Sequence, residues 1–139
     1  IQQWQGDFAI KGIMSKTDAL RAVDIGATAI IVSNHGGRQL DHAPGSFEVL
    51  AEIVDVVDGH AEVILDGGVR RGTDVIKALA LGAKACMIGR SYLYGLGAGG
   101  EAGVDRALGL LGDEIRRNMA LLGVTSVADI DASYLKRVD

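Results

Sequence analysis

The stretches Ala22-Val23-Asp24-Ile25-Gly26-Ala27-Thr28-Ala29 and Ala78-Leu79-Ala80-Leu81-Gly82-Ala83-Lys84-Ala85 repeat one pattern 56 residues apart. In both, a helical stretch stops at a glycine and the chain enters an apolar run directly, the order of a helix end followed by a strand. Two βα units in 56 residues are about 28 each, which suits a (β/α)8 TIM barrel, where roughly 250 residues are spread over eight units.

Outward from the repeat, four apolar runs alternate with helix-like stretches: Phe8 to Ile13, Ala29 to Val32, Val63 to Leu65 and Ala85 to Ile88. Each is continuous, as expected of parallel strands covered on both faces. Leu50, Ile53, Val54 and Val57 recur at i, i+3, i+4 and i+7, one face of a helix. Val75, Ile76 and Leu79 follow the same rule, with Thr73 placed to cap the start. Ser15-Lys16-Thr17-Asp18 has the form of a capping box, with Asp in place of Glu, opening a helix that ends near Gly26. A last long helix is predicted from about Gly103 to Leu122, with Val104, Leu108, Leu111, Ile115, Met119 and Leu122 on one stripe, then a short helical tail over Ser126 to Lys136. The count is four βα units. Four parallel strands alone leave two unpaired edges, so the expected fold class is α/β, half of a TIM barrel completed by strands outside this chain. A doubly wound four-stranded sheet is the alternative.

Composition narrows the function classes. The 139 residues make one domain at most, and 48% hydrophobic with 23% charged residues describes an ordinary folded protein. The net charge of −4, with no Lys/Arg cluster, gives no footprint for nucleic acid. Glycine is the outlier at 20 residues, about twice its usual share. The lone Cys86, in the apolar run Ala85-Cys86-Met87-Ile88, makes no disulfide and no metal cluster, so no metal is expected and the compartment is reducing, hence cytoplasmic. Ile1-Gln2-Gln3-Trp4-Gln5 is neither a signal nor a transit peptide, and no apolar stretch approaches the roughly 18 residues of a membrane span. The missing initial Met suggests a fragment or a processed piece.

Three loops follow strand ends: Ser33-Asn34-His35-Gly36-Gly37-Arg38-Gln39, Asp66-Gly67-Gly68-Val69-Arg70-Arg71-Gly72, and Gly89-Arg90. A barrel places catalysis at the C-terminal strand ends and often binds phosphate in the loops after the last two strands. Glycines let backbone N–H groups approach phosphate oxygens, a helix opening at Thr73 would favour an anion, and Arg90 adds a charge-assisted contact. The plain alternative is that Gly67 and Gly68 only make a tight turn. In the first loop, His35 and Arg38 are three apart, so an imidazole suited to proton transfer and a guanidinium fork suited to a carboxylate reach one small substrate. A solvated histidine and a salt-bridged arginine are the alternatives.

The run Ser33-Asn34-His35-Gly36-Gly37-Arg38-Gln39-Leu40-Asp41 resembles the signature of the FMN-dependent α-hydroxy acid dehydrogenases and oxidases, among them glycolate oxidase, L-lactate dehydrogenase and mandelate dehydrogenase. The likeness continues through Lys11-Gly12-Ile13, Asp66 to Gly72, Lys77 to Ala83 and Ile88-Gly89-Arg90, in order and over nearly the whole chain. It implies the C-terminal half of a (β/α)8 flavoenzyme, with residues 1–139 as that half and the N-terminal half of the same barrel as its partner.

By matching position, the resemblance makes His35 the base and Arg38 the clamp on the carboxylate of a small 2-hydroxy acid. It sets Lys11 beside the flavin pyrimidine edge, where a cation stabilises negative charge on the reduced ring; a solvated strand-end lysine is the alternative. Ser33 would also contact the ring, and Asp66 would face the ribityl hydroxyls. Gly67, Gly68, Arg70, Gly89 and Arg90 would surround the FMN phosphate. Gln39, Asp41 and Arg71 are given supporting roles, and Tyr92, Tyr94 and Tyr134 packing roles. The resemblance further implies a homotetramer. Any contact with the inner membrane would run through a loop that this family carries ahead of the present region. The rival readings are another phosphate-binding barrel, such as a type 2 isopentenyl-diphosphate isomerase or an inosine-monophosphate dehydrogenase, and a non-catalytic half-barrel module.

Overall fold

The computed structural model describes residues 3–136; Ile1 and Gln2 of the stretch read as no targeting segment lie outside them. Strands β1 (Ala9–Ile13), β2 (Ala29–Val32), β3 (Glu62–Asp66) and β4 (Ala85–Met87) form one parallel sheet in the order β1-β2-β3-β4. Helices α1 (Lys16–Asp24), α2 (Ser46–Val57), α3 (Gly72–Ala80) and α4 (Arg90–Leu122) follow the four strands in turn. Each strand lies beside its sequence neighbour and the order never reverses. A doubly wound sheet needs such a reversal at its switch point, so the sheet is that of half a (β/α)8 barrel.

The repeat has one physical cause in both copies. At Gly26 and Gly82 the backbone turns left-handed, with φ of 89° and 97°. Ala27 N–H then donates to the Ala22 carbonyl and Gly26 N–H to that of Val23, while Ala83 N–H donates to Ala78 and Gly82 N–H to Leu79. These paired bonds close the last helical turn and release the chain as an extended strand. At Gly82 a side chain would also strike Val54, whose Cγ1 lies 2.6 Å from the Cβ position.

The core sits between the sheet and the helices. Ile30 and Val32 of β2 and Val63 and Leu65 of β3 are buried against Leu50, Ile53 and Val57 of α2. Burying each such side chain contributes about 1.5–3 kcal/mol. The alternate residues Ile31 and Ile64 are only half-buried. The strands are apolar on both faces, and the second face is the one a closed barrel turns inward.

Four details depart from the sequence reading. Thr73 does not cap α3: the helix starts at Gly72, and the Asp74 carboxylate, three residues into it, accepts from the Arg70 and Arg71 N–H groups at 2.9 Å each. The last helix begins at Arg90, not Gly103, and a break at Gly99 and Gly100 divides it into two limbs. Those limbs touch where Gly95 and Gly103 face each other, each filling the space of the other's missing Cβ. The tail is two 3-10 turns, Val127–Asp129 and Ala132–Tyr134. Tyr94 is 74% exposed and Tyr134 38%, so neither is a packing residue within these residues.

Candidate functional site

The strand ends carry their polar residues to one place. β1 slips register between Lys11 and Ile13, a bulge that Gly12 makes with φ of 99°. Lys11 Nζ lies 2.7 Å from Asp66 Oδ2 and donates to Ser33 Oγ at 2.9 Å. The Ser33 hydroxyl donates to Asp66 Oδ2 at 2.5 Å and accepts from the His35 N–H at 3.1 Å. Ser33 is 1% exposed, so a fully bonded hydroxyl joins β1, β2 and β3 from beneath. Burial pushes the Asp66 carboxyl up, but the bonds from Lys11 and Ser33 and the charges of Lys11 and His35 outweigh it. They hold the group below the usual carboxylate range.

His35 opens a 3-10 turn, His35–Gly37, in the left-handed region at φ 56°. Such a backbone costs on the order of 1–3 kcal/mol and persists only where its neighbours fix it. Asn34 does so: its Oδ1 accepts from the Gly36 N–H at 3.0 Å, and its Nδ2 donates to the Pro44 carbonyl at 3.1 Å. The imidazole lies against Gly12, where a Cβ would stand 3.0 Å from His35 Cε1. Arg90, the first residue of α4, reaches across to donate from Nη2 to the Gly36 carbonyl at 3.4 Å.

The two helix starts differ. The α3 start, expected to receive an anion, is already filled by carboxylates: Asp74 takes two N–H groups, and Glu114 Oε2 takes that of Gly72 at 2.7 Å. Among the described residues, the α4 start has no side-chain cap, and a side chain at its cap residue Gly89 would meet nothing within 4 Å. An anion therefore fits at α4 and not at α3. Among the described residues, no ion pair engages Arg38, Arg70 or Arg90.

One cleft of about 280 Å³ brings together Lys11, His35, Arg38, Asp66, Gly67, Gly68, Arg70, Gly89 and Arg90, with Met87, Ile88 and Leu93 as apolar wall. Every expected site residue except the buried Ser33 lines it. Gln39, Asp41 and Arg71 do not. Sequence reasoning missed the contact of Gly12 with His35; a glycine inside a strand is the signal that marks such a bulge or close approach. It also missed Asp74 and Glu114. An acid three residues past a helix start was a usable sign for Asp74, and nothing local pointed to Glu114.

The description "FMN-dependent dehydrogenase" belongs to the family model that matches residues 1–137. The chain belongs to this family. An L-lactate oxidase of Nostoc is 58% identical over 91% of the chain, and a peroxisomal (S)-2-hydroxyacid oxidase of Arabidopsis thaliana is 54% identical over 91%. In these two the match covers 34% and 35% of the relative, so the chain spans about a third of their length. A crystal structure of mandelate oxidase with 3,3-difluoro-2-hydroxy-3-phenylpropionic acid superposes with a TM-score of 0.90 at 48% identity, over 94% of this chain and 40% of that one. The cofactor that goes with family membership is FMN.

Proposed function

We propose that the protein carrying this segment oxidises an L-2-hydroxy acid of the lactate, glycolate or mandelate type to the 2-oxo acid, with FMN as the first electron acceptor. The observation that carries the reading is that His35, Arg38, Lys11, Arg70, Arg90 and the start of α4 at Gly89 line one cleft at four consecutive strand ends.

The donor set fits FMN. Arg70, Arg90 and the uncapped start of α4 suit a phosphate dianion, and Lys11 suits an electron-rich ring edge. Asp66, held ionised, suits hydroxyl donors such as those of a ribityl chain. When bound, FMN supplies the two-electron acceptor that no side chain here can provide. Arg38 grips the substrate carboxylate through its planar fork and fixes the α-carbon. A ring nitrogen of His35 takes the proton that leaves the substrate, from its hydroxyl or from its α-carbon. Gly12 sets the depth at which that imidazole rests. The N-terminal half of the barrel supplies the remaining walls, and the assembled protein forms a tetramer.

The test is anaerobic mixing of the intact holoenzyme with L-lactate, glycolate and L-mandelate. Loss of the oxidised-flavin absorbance with one 2-oxo acid formed per flavin is expected for at least one of them. A flavin that stays oxidised with all three overturns the reading.

A further inference from the structure

The loop from Gly67 to Arg71 carries the proposed phosphate contacts, and α4 grips it twice. From the first limb, Ser91 Oγ donates to the Val69 carbonyl at 2.9 Å. From the second, Glu114 accepts from the Gly72 N–H at 2.7 Å and from Arg71 Nε at 2.8 Å and 3.1 Å. The α4 backbone also presses on Gly72, where a Cβ would stand 2.6 Å from Glu114 C and Ile115 N. Arg70 lies between these two anchors. Its own N–H is held by Asp74, while its side chain lines the cleft beside Arg90.

We propose that Glu114 is a positioning residue for FMN: through Gly72 and Arg71 it fixes the loop so that Arg70 meets the phosphate. This rests on the assignment of the cleft to FMN. Two other roles for Glu114 make different predictions. As a mere anion near an anion site it would repel phosphate, and its neutralisation would tighten FMN. As a mere contact between α3 and α4 it would affect any ligand of the cleft alike. A positioning role predicts weaker FMN, and only where a phosphate is present to be held.

The experiment uses the full-length enzyme stripped of flavin and titrated with FMN and with riboflavin, which lacks the phosphate, by quenching of flavin fluorescence. Glu114→Gln should weaken FMN about three- to tenfold, the scale of one loosened hydrogen-bonded contact, and leave riboflavin within about twofold. Arg71→Gln removes only the Arg71 half of this contact, from a side chain that is 71% exposed, and leaves the Gly72 half in place, so it should give a smaller loss that is again specific to FMN. Equal losses for both flavins, unchanged FMN affinity or tighter FMN in these variants overturns the proposal. Arg90→Ala is the control. If it leaves the preference for FMN over riboflavin intact, the phosphate assignment itself fails. If it abolishes that preference while the Glu114 and Arg71 variants keep it, only the positioning role falls.

Discussion

His35 is held in a backbone conformation that few side chains tolerate, with its ring against a glycine and its N–H on a buried hydroxyl. That degree of constraint suits a group that must meet one atom of a substrate. His35→Gln keeps size and polarity but removes the proposed base. It should leave FMN bound and slow flavin reduction by about 10²–10⁴ in stopped flow. Arg38→Lys keeps the charge and loses the fork, so KM should rise and kcat fall together in steady-state assays. Asp66 gives a pH signature. Its carboxyl is held below its ordinary value of 3.8 in the folded protein, so the stability from its pairing is present above that value. It is lost as pH falls through the lower, folded-state value. Asp66→Asn should therefore lower the melting temperature at neutral pH and flatten its decline on acidification. The roles proposed for His35 and Arg38 come from the resemblance, with residue type and spacing beside it, and the structure adds that both residues line one cleft. The Lys11–Ser33–Asp66 cluster was legible only as three separate residues, because no local pattern brings positions from three strands together.

Among the elements, the strands could be read from their continuous apolar runs, α1 from its capping box and α2 and α3 from helical periodicity, and Gly26 and Gly82 mark where helix gives way to strand. The first limb of α4 could not. Gly95, Gly97, Gly99 and Gly100 within six residues resemble a loop, yet Gly95 serves the close crossing with Gly103, and only Gly99 and Gly100 break the helix. The α3 cap was also hidden. Capping rules look to the residue before the helix, and here the acceptors come from inside it and from α4. The bulge in β1 makes a prediction at this scale. Gly12→Ala adds a methyl 3.0 Å from His35 Cε1 at a φ of 99°. It should lower stability by about 1–3 kcal/mol and displace the His35 ring, the proposed base, so kcat falls further than the loss of folded protein explains. Thermal melts beside flavin-reduction rates separate the two effects.

For the whole molecule, the exposed apolar surface is concentrated on α4, where Leu93, Leu96, Leu108, Leu110 and Leu121 are all exposed, the last at 80%. Among the described residues, β1 and β4 each pair on one side only. A polypeptide of residues 1–139 alone should therefore aggregate or unfold without cooperativity. Co-expression with the remaining strands should restore a single transition in calorimetry. A soluble monomer that melts cooperatively by itself would remove the half-barrel argument. The strict β1-β2-β3-β4 order bears on how this segment emerges from the ribosome. Ala9 pairs with Ala29, Ala29 with Glu62 and Ile64 with Ala85, so each strand finds its neighbour already made and closes only a short loop to reach it. Register is thus set from the N-terminal side onward as translation proceeds. Of the residues proposed to hold the phosphate or to position its loop, Gly89, Arg90 and Glu114 arrive last, so on that assignment the nascent chain grips a phosphate only once most of α4 has left the exit tunnel. Flavin capture is on this account a late checkpoint of biosynthesis, reached only by chains whose sheet is already in register.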